Sequence, residues 1–311
     1  MEKNKNKWRA TKSSLFFIHK EDKGLELTIK EYLTKYIENK LINIEYSYSD
    51  MLRIVAYYLD ISKEELYLVL DERKLNIKEQ NDIEIMLNKM YFTHIPLQYI
   101  INKQPFYNEE YFVNENVLIP RQDTEILVEK AIEYINKYNF NNLLDMCTGS
   151  GCIGISISNN SNIKEITLVD VSNDALEVTK KNIKLNKVEK DVIVVQSDLF
   201  SNLEKKQYDI IVSNPPYIKS EDIASLESKV KNEPHLALDG GIDGLDIYRR
   251  ILKDAKEYLH ENSILMFEIG YDELEDIKKL IDTYKKYSIL ECVKDLGNND
   301  RVIICKYNEI K

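Results

Sequence analysis

The 311-residue chain has only four cysteines, Cys147, Cys152, Cys292 and Cys305, with no C-x-x-C pair and no Cys/His cluster of zinc spacing. A structural zinc site is excluded, and the cysteines read as free thiols of a reduced cytosol. No apolar run reaches the length of a membrane span. The N-terminus has no signal-peptide core, because Leu15-Phe16-Phe17-Ile18 is too short, and it is Lys-rich where a transit peptide would be Arg-rich. There is no internal repeat. Positive charge is outweighed overall. The net charge is −10, and residues 1–24 hold seven Lys/Arg against three acids, so the rest of the chain carries −14. An acidic body argues against tight, sequence-independent binding to nucleic acid, although it leaves room for a local basic groove.

Hydrophobic residues make up 43% of the chain, ample for a core, and the length allows two domains. Residues 1–24 are polar, basic and aperiodic, and read as a flexible tail. From Leu25 the pattern turns helical. Ile29, Tyr32, Leu33, Tyr36 and Ile37 share one face; Met51, Leu52, Val55, Tyr58 and Leu59 share another; Ser62 to Glu65 is a capping box; Ile83, Met86, Leu87, Met90 and Tyr91 mark a fourth helix. We expect a small all-α domain over 25–94. Residues 95–120 hold two β-prone aromatic segments, Phe106-Tyr107 and Tyr111-Phe112-Val113, and read as a hairpin linker. Asp123 and Thr124 stand where N-caps of the next helix belong, and Arg121 is either a surface charge or a carboxylate ligand.

Residues 121–311 alternate strand and helix. Apolar runs at 143–145, 166–170, 192–195, 209–213 and 264–269 read as parallel strands of a doubly wound α/β sheet. Two final strands, 288–293 and 301–305, have a link too short for a helix and should be antiparallel neighbours. Chemistry-bearing residues gather at the carboxyl ends of these strands. Cys147-Thr148-Gly149-Ser150-Gly151 is a glycine turn after the first strand. Asp145, Asp170 and Asp198 recur at successive strand ends. The turn formally matches a dinucleotide fingerprint, but Asp145 would repel a pyrophosphate. A ligand that meets three acids and carries a ribose and a base fits better, and S-adenosylmethionine is such a ligand: its amino group near Asp145, its ribose at Asp170, its adenine at Asp198-Leu199. After the fourth strand comes Asn214-Pro215-Pro216-Tyr217. Two prolines cannot continue a ladder, so the chain leaves the sheet stiffly. The Asn214 side-chain carbonyl and the Pro215 carbonyl offer two acceptors for a planar N–H2 group, with Tyr217 available to stack on it.

The order D-M-C-T-G-S-G, L-V-D, Q-S-D-L-F, V-S-N-P-P-Y resembles the class I methyltransferases of planar amino or amide nitrogens. P-L-Q-Y-I, V-L-I-P-R-Q-D-T-E, E-P-H-L-A-L-D-G-G-I-D-G-L and D-L-G-N-N-D-R narrow the resemblance to the HemK-type family, over about residues 25–307. The family implies a class I seven-stranded sheet with a small N-terminal helical domain joined by a β-hairpin. It implies S-adenosyl-L-methionine as donor, lined by Cys147, Thr148, Gly149, Ser150, Gly151, Asp170, Asp198, Leu199 and Asn214. Asn214, Pro215, Pro216 and Tyr217 would hold the substrate, the glutamine of the Gly-Gly-Gln loop of class 1 peptide chain release factors. The helical domain would help to grip the factor. A cytoplasmic monomer with no membrane and no stable nucleic-acid partner is the matching expectation. An amino-methyltransferase of adenine or guanine is the alternative, since N-P-P-Y suits that chemistry as well. Two family glycines are replaced near Asn102 and Asn108, where Asn can keep a left-handed turn.

Overall fold

The computed structural model describes residues 25–40 and 47–309, so the basic tail at 1–24 lies outside the described residues. The chain divides into two compact units, 1–101 and 102–311.

The first unit is helical. β1 (Leu27–Thr28) leads into α1 (Ile29–Lys40), followed by α2 (Tyr48–Leu59) and α3 (Lys63–Val69). β2 (Lys74–Leu75) pairs antiparallel with β1, and α4 (Ile77–Thr93) and α5 (Leu97–Ile101) complete the unit. Local chemistry sets the boundaries. Ser62 and Glu65 form the expected capping box, and Asn76 and Glu79 form a second one. Asp60 ends α2 in left-handed backbone. The inward stripes meet in one core of Leu33, Leu52, Ile54, Leu66, Ile83 and Leu87. The reading of 95–120 as connector is only partly matched, because Leu97–Ile101 is helical and packs into this core.

The second unit opens with a hairpin, β3 (Gln104–Phe106) and β4 (Glu109–Tyr111). Asn102 keeps the left-handed turn at φ 53°, but in the hairpin it is Tyr107 (φ 54°) rather than Asn108 that turns left-handed. Then follow α6 (Glu125–Tyr138), β5 (Asn142–Met146), α7 (Cys152–Asn160), β6 (Glu165–Asp170), α8 (Asn173–Leu185), β7 (Asp191–Gln196) and β8 (Tyr208–Ser213). After a long loop come α9 (Asp246–Asp254), β9 (Leu259–Glu268), α10 (Leu274–Tyr284), β10 (Tyr287–Lys294) and β11 (Asp300–Tyr307). The seven-stranded sheet has the order β10-β11-β9-β8-β5-β6-β7. β5 to β9 are mutually parallel, whereas β11 runs antiparallel to both β9 and β10. This is the class I methyltransferase sheet.

Alternation along the strands sorts side chains into two cores. Leu144, Ile211, Leu265 and Phe267 face α9 and α10, while Leu143, Ile210, Met266 and Val302 face α6 and α7. From β5 the chain winds outward through β6 and β7, then returns to the other side of β5 as β8. The crevice between the carboxyl ends of β5 and β8 is therefore the topological switch point, where ligands of such sheets bind.

Candidate active site

β5 ends in the glycine turn. Cys147, Gly149 and Gly151 all have left-handed backbone, at φ 63°, 56° and 83°. A Cβ built on Gly149 would meet no atom within 4 Å, so the turn leaves open space above its backbone. Asp145 lies beneath the turn and is fully buried. Its Oδ2 accepts from the Thr148 hydroxyl (2.6 Å) and the Gly154 N–H (3.0 Å), while Oδ1 has no hydrogen-bond partner. Burial pushes this carboxyl up to about 7 against the pull of those bonds. Asp145 is thus the staple of the turn and does not line the cavity above it. Gly154 is required for close approach, since a Cβ there would collide with Leu168 Cδ2. From α8, Asn182 holds the turn to the hairpin. Its Nδ2 donates to Ser150 O (2.8 Å) and Phe112 O (3.0 Å), and its Oδ1 accepts from the Phe112 N–H (2.7 Å).

Asp170 ends β6. Its carboxylate accepts from the Gly149 N–H and the Ser172 N–H, each at 2.9 Å. Burial raises its pKa, and the backbone donors oppose the shift. Asp198, at the mouth, is paired with Arg250 (2.8 Å). Leu199 beside it is buried with φ 53°.

Asn214 follows β8. Ser213 Oγ donates to Met146 O (2.7 Å), tying the tips of β8 and β5 together. The Asn214 Nδ2 donates to Thr124 Oγ1 at 3.3 Å. Thr124 is the N-cap of α6 by position but makes no side-chain cap bond, so the expected capping role is replaced by this contact. Arg121 finds its carboxylate within the chain: it pairs with the buried Glu233, whose Oε2 also accepts from the Ile119 N–H (2.9 Å). The loop after Tyr217 doubles back, so that a Cβ on Gly240 would lie 2.7 Å from Tyr217 Cα.

These elements surround a cavity of about 460 Å³. Cys147, Thr148, Gly149, Ser150, Asp170, Asp198, Leu199, Asn214 and Pro216 line it, with Val117, Thr124, Ile153, Val169 and Arg250. Gly151, Pro215 and Tyr217 do not. Gly151 lies under the turn against Ile155 and Thr179. The Tyr217 ring packs on the core of α9 and α10, where burial raises its hydroxyl above the usual range. A stacking role in the cavity is therefore not matched by the position of Tyr217. Sequence reasoning missed Thr124 as a cavity residue, Arg250 as the partner of Asp198, and Glu268, which is buried beside Asn214.

Comparison with known proteins adds a second line of evidence. The Methyltransferase small domain family matches residues 122–241. The chain is 40% identical to a release factor glutamine methyltransferase of Fusobacterium nucleatum, over 89% of this chain and 76% of that one. It is 37% identical to a protein of the same name from Clostridium acetobutylicum, over 89% and 98%. A ribosomal protein uL3 glutamine methyltransferase of Francisella tularensis is 37% identical over 69% and 68%.

Proposed function

We propose, from the premise that this chain belongs to the release factor glutamine methyltransferase family, that it methylates the side-chain amide nitrogen of the glutamine in the Gly-Gly-Gln loop of class 1 release factors. The observation that carries this reading is Asn214, an amide set at the switch-point cavity beside an open glycine turn. The residues fit S-adenosyl-L-methionine as the methyl donor. The cavity has the volume of a cofactor site. Gly149 exposes backbone to it, Asp170 offers a carboxylate for ribose hydroxyls, and Val169, Leu199 and Ile153 supply an apolar wall. When bound, the donor supplies an electrophilic methyl on a sulfonium.

An amide nitrogen is a weak nucleophile, so the chain's work is positioning and exclusion of water. Asn214 Oδ1 would take one glutamine N–H hydrogen, and the Pro215 carbonyl, which is outside the lining of the donor cavity, would take the other. Their pull favours a pyramidal nitrogen whose lone pair points at the methyl carbon. With a donor held at Gly149 and Asp170, its sulfonium would supply the methyl carbon to the nitrogen that Asn214 holds, and that nitrogen would afterwards lose its proton to solvent. Pro216 closes the wall beside the acceptor, and Tyr217 anchors the segment in the core. The helical unit is read as the grip on the factor, and the enzyme as a cytoplasmic monomer. No helix among the described residues is long and apolar enough to cross a membrane.

The test is transfer of tritiated methyl to a purified release factor, beside its variant with Ala in place of the loop glutamine, with ribosomal protein uL3, DNA and RNA as further acceptors. Label on the factor and none on its variant establishes reaction and site. Label on uL3 alone moves the substrate to the ribosome. Label on nucleic acid alone returns the assignment to the amino-methyltransferase alternative.

A further inference from the structure

Glu268 is the last residue of β9, one strand away from Asn214. Ser213 and Phe267 are paired in parallel register, so Asn214 and Glu268 are the next residues of neighbouring strands and share a sheet face. On that face Thr124 stands against both. Glu268 is 2% exposed, and its Oε2 has no hydrogen-bond partner among the described residues. Nor is it neutralised by a close ion pair. Arg301 lies nearby, but its guanidinium is held by Asp295 (3.0 Å) and by Ile269 O (3.3 Å). A buried carboxyl with so few partners is costly, and simple core packing would be better served by an apolar residue.

We propose that Glu268 is a positioning residue for Asn214. Together with the Thr124 hydroxyl, its carboxylate offers acceptors to the Nδ2 end of the Asn214 amide, which leaves Oδ1 facing the cavity as an acceptor for the substrate amide. This rests on the glutamine reading given above. The two ends of an Asn amide are nearly isosteric, so shape alone cannot fix which one faces the substrate. A flipped Asn214 would set Oδ1 against the carboxylate and present N–H2 to N–H2. An acceptor-only neighbour removes that state.

The protonation of Glu268 then matters. Burial pushes its carboxyl up to about 7; Thr124, Arg301 and Asn214 oppose the shift and Asp123 adds to it. The other titratable groups that feel its charge are Tyr217, Tyr248 of α9 and Cys152 of α7. Protonated, the carboxyl becomes a donor and tolerates the flipped amide. Ionised, it enforces the productive one, so turnover should rise with pH through the titration of this group.

The experiment combines kinetics with the side-chain amide resonance of Asn214 in 15N-labelled protein. Glu268→Gln can donate or accept, so it should lower kcat about tenfold or more, remove the rising limb of the pH profile and leave donor affinity within about twofold. Thr124→Val should lower kcat several-fold, and Thr124→Ser should restore it. In an Asn214→Ala background, Glu268→Gln should cost nothing further, because a residue acting through Asn214 has nothing left to position. The Asn214 Nδ2 resonances should move in Glu268→Gln and should titrate with pH in the parent protein. Additive losses, a parallel loss of donor affinity, or unchanged kcat would overturn the proposal. If Glu268→Gln fails to fold, the Thr124→Val and Thr124→Ser pair decides alone. Should the parent protein methylate no glutamine while the amide resonances respond as stated, the reaction reading falls and the positioning stands. Transfer with unresponsive resonances gives the reverse.

Discussion

Asn214 and Asp170 sit on the same rim but answer to different measurements. Asn214 lines the cavity, and the reading proposed above gives it the reacting amide, so Asn214→Ala should lower turnover about a hundredfold or more, the scale seen when one preorganised polar group is removed from an active site. Donor affinity by calorimetry should stay within about twofold, and turnover like that of the parent protein would exclude the assignment. Asp170 bonds the Gly149 N–H as well as facing the cavity. Asp170→Ala should therefore weaken donor binding by roughly tenfold to a hundredfold, as for a lost charged hydrogen bond. Calorimetry showing unchanged affinity would remove the ribose role. Both residues were legible in the sequence because each ends an apolar strand, and a polar residue at that point has few structural reasons to be there. Thr124 and Glu268 were not. Thr124 meets Asn214 across 90 residues of chain, and its place before a helix offers a complete local explanation. Glu268 falls inside the run 264–269 expected as a strand, and only the register of β8 and β9 brings it to the site.

Elements carry the site through their packing. Gly154 places the first turn of α7 against β6, and a Cβ there has no room beside Leu168 and Asp145. Gly154→Ala should lift α7 from the sheet, lowering stability by about 1–3 kcal/mol and donor affinity with it. Urea unfolding and calorimetry on one preparation check both. Ser62→Ala should cost about 1 kcal/mol through its cap alone, without effect on donor binding. Most elements were legible from periodicity and caps. The five residues of α5 were too few for a period to register. The loop after Tyr217 shows no pattern because it is built from three 3-10 turns and a single bridge, Ile218 to Asp239. The left-handed position of the hairpin fell on Tyr107, whose N–H is held by Glu125 (2.8 Å). That tertiary contact has no local sequence signal.

For the whole molecule the buried acids set the response to pH. Burial pushes Asp145, Glu268 and Glu273 up to about 7, well above the values of an unfolded chain. Between those limits the folded state holds more protons than the unfolded one, so stability should fall as pH rises from about 4.5 to about 7. Asp243 and Asp295, held down to about 2 by Arg249 and by Asn299 and Arg301, act in the opposite sense and only below pH 4. Urea midpoints should be higher at pH 5.5 than at pH 8, and Asp145→Asn, which keeps an acceptor for Thr148 and Gly154, should flatten that slope. A midpoint that rises across the window would refute the assignment of these groups. The doubly wound class was legible in the strand–helix alternation, and the antiparallel pairing of the last two strands in their short link. The position of β11 was not, since nothing in the strand itself names its neighbours. That position has a consequence for the order in which the molecule is made. β11 is synthesised after both strands it joins, so until it emerges β9 ends the sheet with an unpaired apolar edge and β10 has no ladder to enter. A nascent chain stopped short of Asp300 is thus an open sheet with Glu268 on its raw margin, one strand out from Asn214, and the final strand covers the edge against which the site is built.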